Sequence, residues 1–482
     1  MSTQFKEKAI KGFAWNTVEK IGVYAIRFII GIILARILMP SDYGVIGMLA
    51  IFFAISELFV RSGFSEALIQ RKDRTEVDYS TVFYFNLIVA VLFYIILFFS
   101  APLIAKFYNV KELTLLTRVL SLNIIINALA LVQQTKLTIR MDFKSQALIS
   151  LFSVIISGPI GIFAALKGFG VWALVLQNIA GSLIRTFLLF YFNSWVPSLV
   201  FSLSSFKSLF GFSSKLLGAG LIATTFNNIY SMLIGKIFSA QELGYYTKAR
   251  QFPELISNTL VNILQGVTFP ILASLQDKKE HMISVYSRVM RGTVFLIIPG
   301  MTIFALIAGP FIRIFLTDKW APVIPLLQWL CFSRMITPVS SLNMNILNAI
   351  GRSDLFLKVD IIKIPLAIAT LIITVPLGLK AIVIGNFINT LVNFFINTYY
   401  PAKLFGFGPL RQIKEMKSVL LSTAIMSVMI LAVMPILPSD ILKFSICIPL
   451  SVGIFLILAY VFKINELHEF MGLLRTFMNK RI

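Results

Sequence analysis

Nine basic side chains fall inside stretches whose apolar content marks them as membrane spans: Lys20, Arg27, Arg118, Arg185, Lys215, Lys248, Arg250, Arg334 and Lys363. Their anionic company in those stretches is Glu19, Glu57, Glu254 and Asp360. A cation facing lipid near the bilayer centre costs about 2.5 to 3.5 kcal/mol even on a lenient insertion scale, so nine of them would rival the stability of a whole protein. Most must therefore snorkel to an interface or line a hydrated cavity. A cavity with excess positive charge in a low-dielectric wall attracts anions and repels organic cations. The arginine fork and the lysine point charge both suit phosphate oxygens.

Spacing sorts these charges. Lys215 and Arg185 lie near cytoplasmic helix ends and Arg118 near an outer end, where snorkelling suffices. Arg250 and Glu254 are four apart, as are Glu57 and Arg61, and Asp360 and Lys363 are three apart, which allows local pairing on a helix. Lys20, Arg27 and Arg334 resist that reading because they lie deeper, Arg27 about 24 Å along its helix from Lys11. Lys20 and Arg27 share a helical face with Asn16 and Tyr24 nearby, a polar stripe on the first helix. Lys20, Arg27 and Arg334 are the leading substrate-binding candidates, with Lys363, Lys248 and Arg250 as further cavity cations. Glu19, Glu57 and Asp360 are candidate sites for a coupling ion.

The elements that must position them are membrane helices. Of 482 residues 58% are hydrophobic and 13% charged, against about a quarter charged in a soluble domain. At roughly 20 residues per span this fills about fourteen helices. Charge-free runs such as 79–105, 145–166, 292–312 and 418–439 mark several directly, and runs with isolated charges supply the rest. The two His and two Cys exclude a disulfide framework or a zinc site. No GxxxxGK[ST] sequence occurs, so any transport is secondary or takes a separate motor. No catalytic residue, metal or cofactor is expected. The formal charge of +22 reads as bilayer topology and anionic lipid rather than nucleic acid. Lys6, Lys8 and Lys11 precede an apolar stretch to Leu38 that is too long for a cleavable signal, so the first helix is expected to stay as an anchor.

Placing the N-terminus in the cytoplasm puts 25 Lys and Arg on cytoplasmic segments and nine opposite, which by the positive-inside rule predicts both termini inside. The chain also repeats. Residues 34–44 (LARILMPSDYG) lie 200 before 234–244 (IGKIFSAQELG), and Ser145, Gly170, Ala173, Asn178 and Tyr191 stand 208 before Ser353, Gly378, Ala381, Asn386 and Tyr399. Six helices per copy is even, so the halves share one orientation, as in parallel-repeat transporters. The expected organisation is a six-helix lobe over 1–192, an interfacial linker over 193–207, a second lobe over 208–402, helices thirteen and fourteen within 403–463, and an amphipathic tail over 464–482. In the tail Leu467, Phe470, Leu474 and Phe477 oppose Glu469, Arg475 and Lys480. Span prolines, Pro159, Pro253, Pro270, Pro299, Pro325, Pro338, Pro365 and Pro376, allow kinks.

The segments ILARILMPSDYGVIGM, SGFSEALIQRKDRTEVDYSTVFYFNL, YYTKARQFPELISN, LNMNILNAIGRSDLFLK and FINTYY resemble the Wzx-type polysaccharide exporters, most of all the subgroup with teichuronic-acid and colanic-acid exporters. The resemblance covers essentially the whole chain. It implies the two-lobed fold of the multidrug/oligosaccharidyl-lipid/polysaccharide superfamily, an all-α integral membrane protein of fourteen helices similar to the MATE transporters. It also implies a bacterial cytoplasmic (inner) membrane and the flipping of an undecaprenyl-diphosphate-linked oligosaccharide to the outer leaflet. Implied partners are that substrate, membrane lipid, H+ or Na+ for uphill transport, and polysaccharide assembly proteins. On this reading the diphosphate sits on Lys20, Arg27 and Arg334, and the tail stays in lipid. The alternatives are a MATE-type multidrug/ion antiporter, which calls for an acidic cavity, and a peptidoglycan-precursor flippase. A polysaccharide polymerase or ligase would call for a large catalytic outer loop, and a scaffold for an obligate partner.

Overall fold

Apolar stretches of this length can satisfy their backbone groups in hydrocarbon only as helices or closed barrels, and helix is what forms. The computed structural model describes the backbone of residues 3–61 and 63–479, with side chains except at 3–14, 16–18, 212, 213, 215, 216, 219, 267 and 473–479. No strand occurs among the described residues. Two compact units divide the chain, Met1–Gly244 and Tyr245–Ile482.

The first unit contains α1 (Thr3–Ile37), α2 (Pro40–Arg61), α3 (Phe64–Gln70), α4 (Glu76–Tyr108), α5 (Leu113–Leu120), α6 (Leu122–Ile139), α7 (Phe143–Leu166), α8 (Val171–Asn193), α9 (Leu203–Ile237) and the first turn of α10 (Ala240–Ser274). The second holds the rest of α10 with α11 (Lys279–Leu306), α12 (Ala308–Phe315), α13 (Val323–Ala349), α14 (Ser353–Thr374), α15 (Leu379–Phe405), α16 (Pro409–Val433), α17 (Asp440–Val461) and α18 (Asn465–Asn479). Among the described residues eleven helical stretches are long and apolar enough to cross a membrane. Helices α1, α9 and α14, of 35, 35 and 22 residues, are also long enough to cross. With them the long helices fall where the fourteen spans are expected. The protein is a multi-pass, all-α membrane protein.

Local chemistry sets the helix ends. Thr75 accepts from Asp78 N, and Asp78 accepts from Thr75 N, closing a capping box at the start of α4. Asp142, Ser202 and Ser439 cap α7, α9 and α17 the same way with one bond each. The repeated sequence proves to be a helix-start device. Asp42 Oδ2 accepts from Met39 N at 2.8 Å ahead of α2, and Glu242 Oε2 accepts from Ser239 N at 3.2 Å ahead of α10. Helices α1 and α9 span 3–37 and 203–237, and α2 and α10 begin at 40 and 240, so the 200-residue offset holds in the structure. Gly170 and Gly378, at the 208 offset, precede α8 and α15 with φ of 52° and 94°.

The first turns of α2 and α10 touch reciprocally through glycine. A Cβ on Gly44 would lie 1.6 Å from Ala240 O, and one on Gly244 would lie 1.8 Å from Pro40 O. Only a residue without a side chain permits that approach. In the first unit α7 packs on α1 and α8, α6 on α4 and α8, and α9 on α2, α4 and α3. Val23, Ile30 and Leu34 of α1 are buried with Val154 of α7, whereas Lys20, Tyr24 and Arg27 flank that face and are exposed. Asn16, expected on the same stripe, lies outside the described side chains, as do Lys215 and the terminal basic residues Lys6, Lys8, Lys11, Arg475, Lys480 and Arg481.

The linker is partly drawn into the bundle. Trp195 is buried edge-on to Tyr79 and Phe83, and its Nε1 donates to Glu76 Oε2 at 2.6 Å. The Lys136 ammonium sits 4.3 Å from the Tyr79 ring and 4.9 Å from the Trp195 ring, and donates to Glu76 at 3.0 Å. Leu199 and Phe201 remain exposed. In the second unit, Glu466 and Glu469 of α18 meet Arg291 (2.6 Å) and Arg288 (3.5 Å) of α11, and Glu415 of α16 meets Arg291 at 3.2 Å. The tail helix is thus tied to the bundle by ion pairs as well as by buried Leu467. Leu474 and Phe477 lie outside the described side chains.

Candidate functional site

A cavity of about 470 Å³ opens inside the first unit, between α2, α3, α6 and α8. Its wall follows from helical periodicity. On α6, Asn123, Asn127, Gln134 and Thr138 recur at steps of four, seven and four, and on α8, Asn178, Ser182 and Arg185 recur at four and three. Each set falls on one face of its helix. Helix α2 contributes Ile46, Ala50 and Phe53 as an apolar wall and then Glu57 and Arg61, while α3 adds Ser65 and Glu66. Asn123 Oδ1 is buried without a partner. Asn178 Nδ2 donates to Leu174 O at 2.8 Å. The Arg185 guanidinium reaches Gln134 Oε1 at 3.4 Å. Glu57 is engaged by Arg61 at 2.7 Å.

Arg185 also lies within electrostatic reach of Arg27, Arg61, Glu19 and Glu57. Charges from α1, α2 and α8 therefore gather in one region of the first unit. Glu19 is held by Ser150 of α7, whose hydroxyl donates at 2.6 Å. Lys20 and Arg27 make no ion pair with a described residue. Arg185, for which snorkelling is the sequence expectation, instead lines the cavity; it turns inward because Ser182 and Asn178 sit on the same face of α8.

In the second unit the cations gather around one carboxylate. Arg250 grips Glu254 through Nε at 2.7 Å and Nη2 at 2.8 Å, and Arg334 of α13 reaches the same carboxylate at 3.0 Å. The three side chains are 17 to 22% exposed. Ser257 donates to Arg334 O at 3.0 Å, joining α10 to α13, and Arg334 Nε is buried without a hydrogen-bond partner. The i, i+4 pair of the sequence is thus a triad carrying one excess positive charge. Lys363 bonds Asp360 at 2.8 Å, which makes both a local pair rather than a free cation and a free acid. Lys248 is buried, its ammonium 3.3 Å from Gln251 Oε1. Arg118 lies over the Phe98 ring at 4.4 Å and donates to Phe98 O.

Sequence reasoning based on charge missed the amide stripe of α6. Asn123, Asn127, Gln134 and Thr138 could have been found by asking which neutral polar residues recur at helical spacing within a span.

A family model described as "Polysaccharide biosynthesis protein" matches residues 33–325. The chain is 26% identical over 333 residues to the succinoglycan biosynthesis transport protein ExoT of Rhizobium meliloti (strain 1021), covering 69% of this chain and 67% of that one. It is 25% identical to the teichuronic acid biosynthesis protein TuaB of Bacillus subtilis (strain 168), covering 72% and 73%. To the lipopolysaccharide biosynthesis protein WzxC of Escherichia coli (strain K12) it is 23% identical, covering 81% of each. Among solved structures, the lipid II flippase MurJ in an inward closed conformation superposes with a TM-score of 0.73 at 16% identity, covering 94% of this chain and 98% of that one. An inward-facing multidrug resistance MATE transporter superposes with a TM-score of 0.63 at 15% identity, covering 79% and 94%. The fold is that of these transporters.

Proposed function

The chain belongs to the polysaccharide biosynthesis protein family, and from that premise we propose that it is a secondary transporter that flips a polyprenyl-diphosphate-linked oligosaccharide across the bacterial cytoplasmic membrane. The observation that carries this reading is the polar cavity of the first unit. Amides, hydroxyls and an arginine without its own carboxylate line a space of about 470 Å³ inside helices otherwise fit for lipid. Polar groups at that depth are costly unless water or a ligand satisfies them. A sugar head group offers hydroxyls to amides and a diphosphate offers oxygens to cations.

In this mechanism Lys20 and Arg27, exposed on α1 beside the cavity-bearing helices, take the diphosphate. Arg334 and Arg250 supply further positive charge from the second unit, with Glu254 as their resident counter-ion. The polyprenyl tail stays in lipid, and a change in the relation of two repeat-related lobes, 1–192 and 208–402, carries the head group across. Both termini lie in the cytoplasm. Glu19 and Glu57 are the coupling-ion acids that share the region of Arg185, with H+ or Na+ as the ion. Asp360, neutralised by Lys363, is the weaker candidate. No covalent chemistry is required, and polysaccharide assembly proteins are the natural neighbours for the product.

Deleting the gene and identifying the lipid-linked species that builds up on the inner leaflet tests this reading. A polyprenyl-diphosphate oligosaccharide of a surface polysaccharide is the expected result. Accumulation of the peptidoglycan precursor alone would move the assignment to the chemically related precursor flippases, and accumulation of no lipid-linked sugar would refute it.

A further inference from the structure

We infer that the cavity of the first unit is a glycan subsite that reads an acidic sugar, with Arg185 binding the sugar's anionic group and the α6 and α8 amides binding its neutral hydroxyls. This inference rests on the flippase reading and adds to it where the glycan sits and which class of glycan the site selects.

The argument begins with hydrogen-bond inventory. Asn123, Asn127 and Ser182 donate to no described residue, and Asn123 Oδ1 is buried with no partner. An amide presents both donors and acceptors, which is the complement of a hydroxyl that also does both. Such groups left idle in a span carry a desolvation cost that a polyhydroxylated ligand removes. The opposite wall, Ile46, Ala50 and Phe53, is apolar and suits the C–H faces of a sugar ring. The volume lies within the range of small-molecule sites and fits a short stretch of glycan rather than a long chain.

Charge then selects among glycans. Every charged group facing the cavity is accounted for: Glu57 and Arg61 on α2, Glu66 on α3 and Arg185 on α8, with Glu19 and Arg27 of α1 within reach of Arg185. The lining carboxylates and guanidiniums balance, so the cavity is no general anion trap. Glu57 is occupied by Arg61 at 2.7 Å and Glu19 by Ser150 at 2.6 Å. Arg185 is left with one long contact, 3.4 Å to a neutral amide oxygen, so most of its five donors await an acceptor. An oxyanion placed among hydroxyls satisfies both the guanidinium and the amides at once. Two parts of the substrate could supply it, a carboxylate or other acidic substituent on a sugar, or the diphosphate itself. The polar tier of Asn123, Asn127, Asn178 and Ser182 around Arg185 favours the sugar, because a diphosphate gains nothing from neutral amide oxygens.

The test uses the full-length protein in lipid nanodiscs and three soluble probes: a uronic-acid trisaccharide, the same trisaccharide with its carboxyls reduced to alcohols, and inorganic diphosphate. The expected result is saturable binding of the uronate, at least tenfold tighter than its reduced twin. Arg185→Gln should abolish that preference while leaving diphosphate binding within twofold, and Arg185→Lys should keep part of it. Asn123→Leu, which leaves the charge in place, should weaken both trisaccharides alike. Loss of diphosphate binding in Arg185→Gln with no effect on the trisaccharides would assign the arginine to the lipid phosphate and overturn the acidic-sugar inference, leaving the flippase reading intact. Wild-type protein that binds diphosphate but prefers neither trisaccharide would overturn it as well. Wild-type protein that binds none of the three would count against both readings.

Discussion

Removing the charge of Glu254 isolates the triad of the second unit. Glu254 takes three charge-assisted contacts, at 2.7 and 2.8 Å from Arg250 and 3.0 Å from Arg334, and hydrogen bonds of this kind are worth roughly 1.5 to 3 kcal/mol each when charged. Glu254→Gln keeps the shape and one acceptor oxygen, so about half of that gross interaction survives. It leaves two guanidiniums with no counter-charge in a site only 17 to 22% exposed. Breaking a buried pair from one side costs about 3 to 5 kcal/mol, and partial exposure lowers this to about 2 to 3 kcal/mol. At about 2 to 4 °C per kcal/mol for a unit of this size, thermal unfolding in detergent should shift down by about 5 to 10 °C. Diphosphate should bind more tightly to this variant than to wild type, since the resident anion no longer competes. Glu254→Gln with Arg334→Gln should recover part of the stability, which a double-mutant cycle measures. An unchanged midpoint together with unchanged diphosphate affinity would show that the triad is surface decoration and that the reasoning fails.

Three further outcomes follow from the packing and the topology. Gly44→Ala places a methyl group 1.6 Å from Ala240 O, so the two helix starts must separate, at about 1 to 3 kcal/mol or more for overpacking. Its unfolding midpoint should fall clearly, and a midpoint within 1 °C of wild type would contradict the close crossing. Trp195→Ala removes a buried indole and its bond to Glu76, at about 3 to 5 kcal/mol, and should speed proteolysis in the segment after α8; an interfacial tryptophan would cost far less. Single cysteines at Lys72 and Lys319 should label from the cytoplasm and from outside respectively, and labelling from one side would break the inside placement of both termini.

The fold was legible because its signals are long and physical. Spans of roughly twenty apolar residues, caps such as Thr75 with Asp78, and the recurrence of 34–44 at 234–244 all mark elements whose boundaries the chemistry dictates. The site was legible only in part. Counting charges located Arg27, Arg250 and Arg334, but a charge count cannot tell a paired cation from a free one. Glu254 proved to serve two arginines because α13 brings Arg334 against α10, a contact eighty residues apart in sequence. Lys363 and Asp360 pair within one turn of α14, as their spacing allowed. Arg185 read as a snorkelling residue from its place along α8, while its true direction depends on the rotation of α8 against α6, which packing sets. The amides of α6 were overlooked because neutral polar residues cost little in a hydropathy count, although their periodicity was present.

The central claim is that this chain moves a polyprenyl-diphosphate sugar through a cationic path that includes Arg27. The most direct measurement is flipping of an undecaprenyl-diphosphate oligosaccharide in liposomes reconstituted with the wild-type chain and with Arg27→Ala. Arg27 is exposed on α1 and makes no ion pair with a described residue, so its removal strands no carboxylate and the variant should insert and fold normally. Wild-type protein should transfer the lipid to the opposite leaflet, Arg27→Ala should fail, and Arg27→Lys, which keeps charge without the fork, should retain partial activity. Wild-type rates in Arg27→Ala would show that the phosphate path runs elsewhere, and absence of transfer by the wild-type chain would contradict the account.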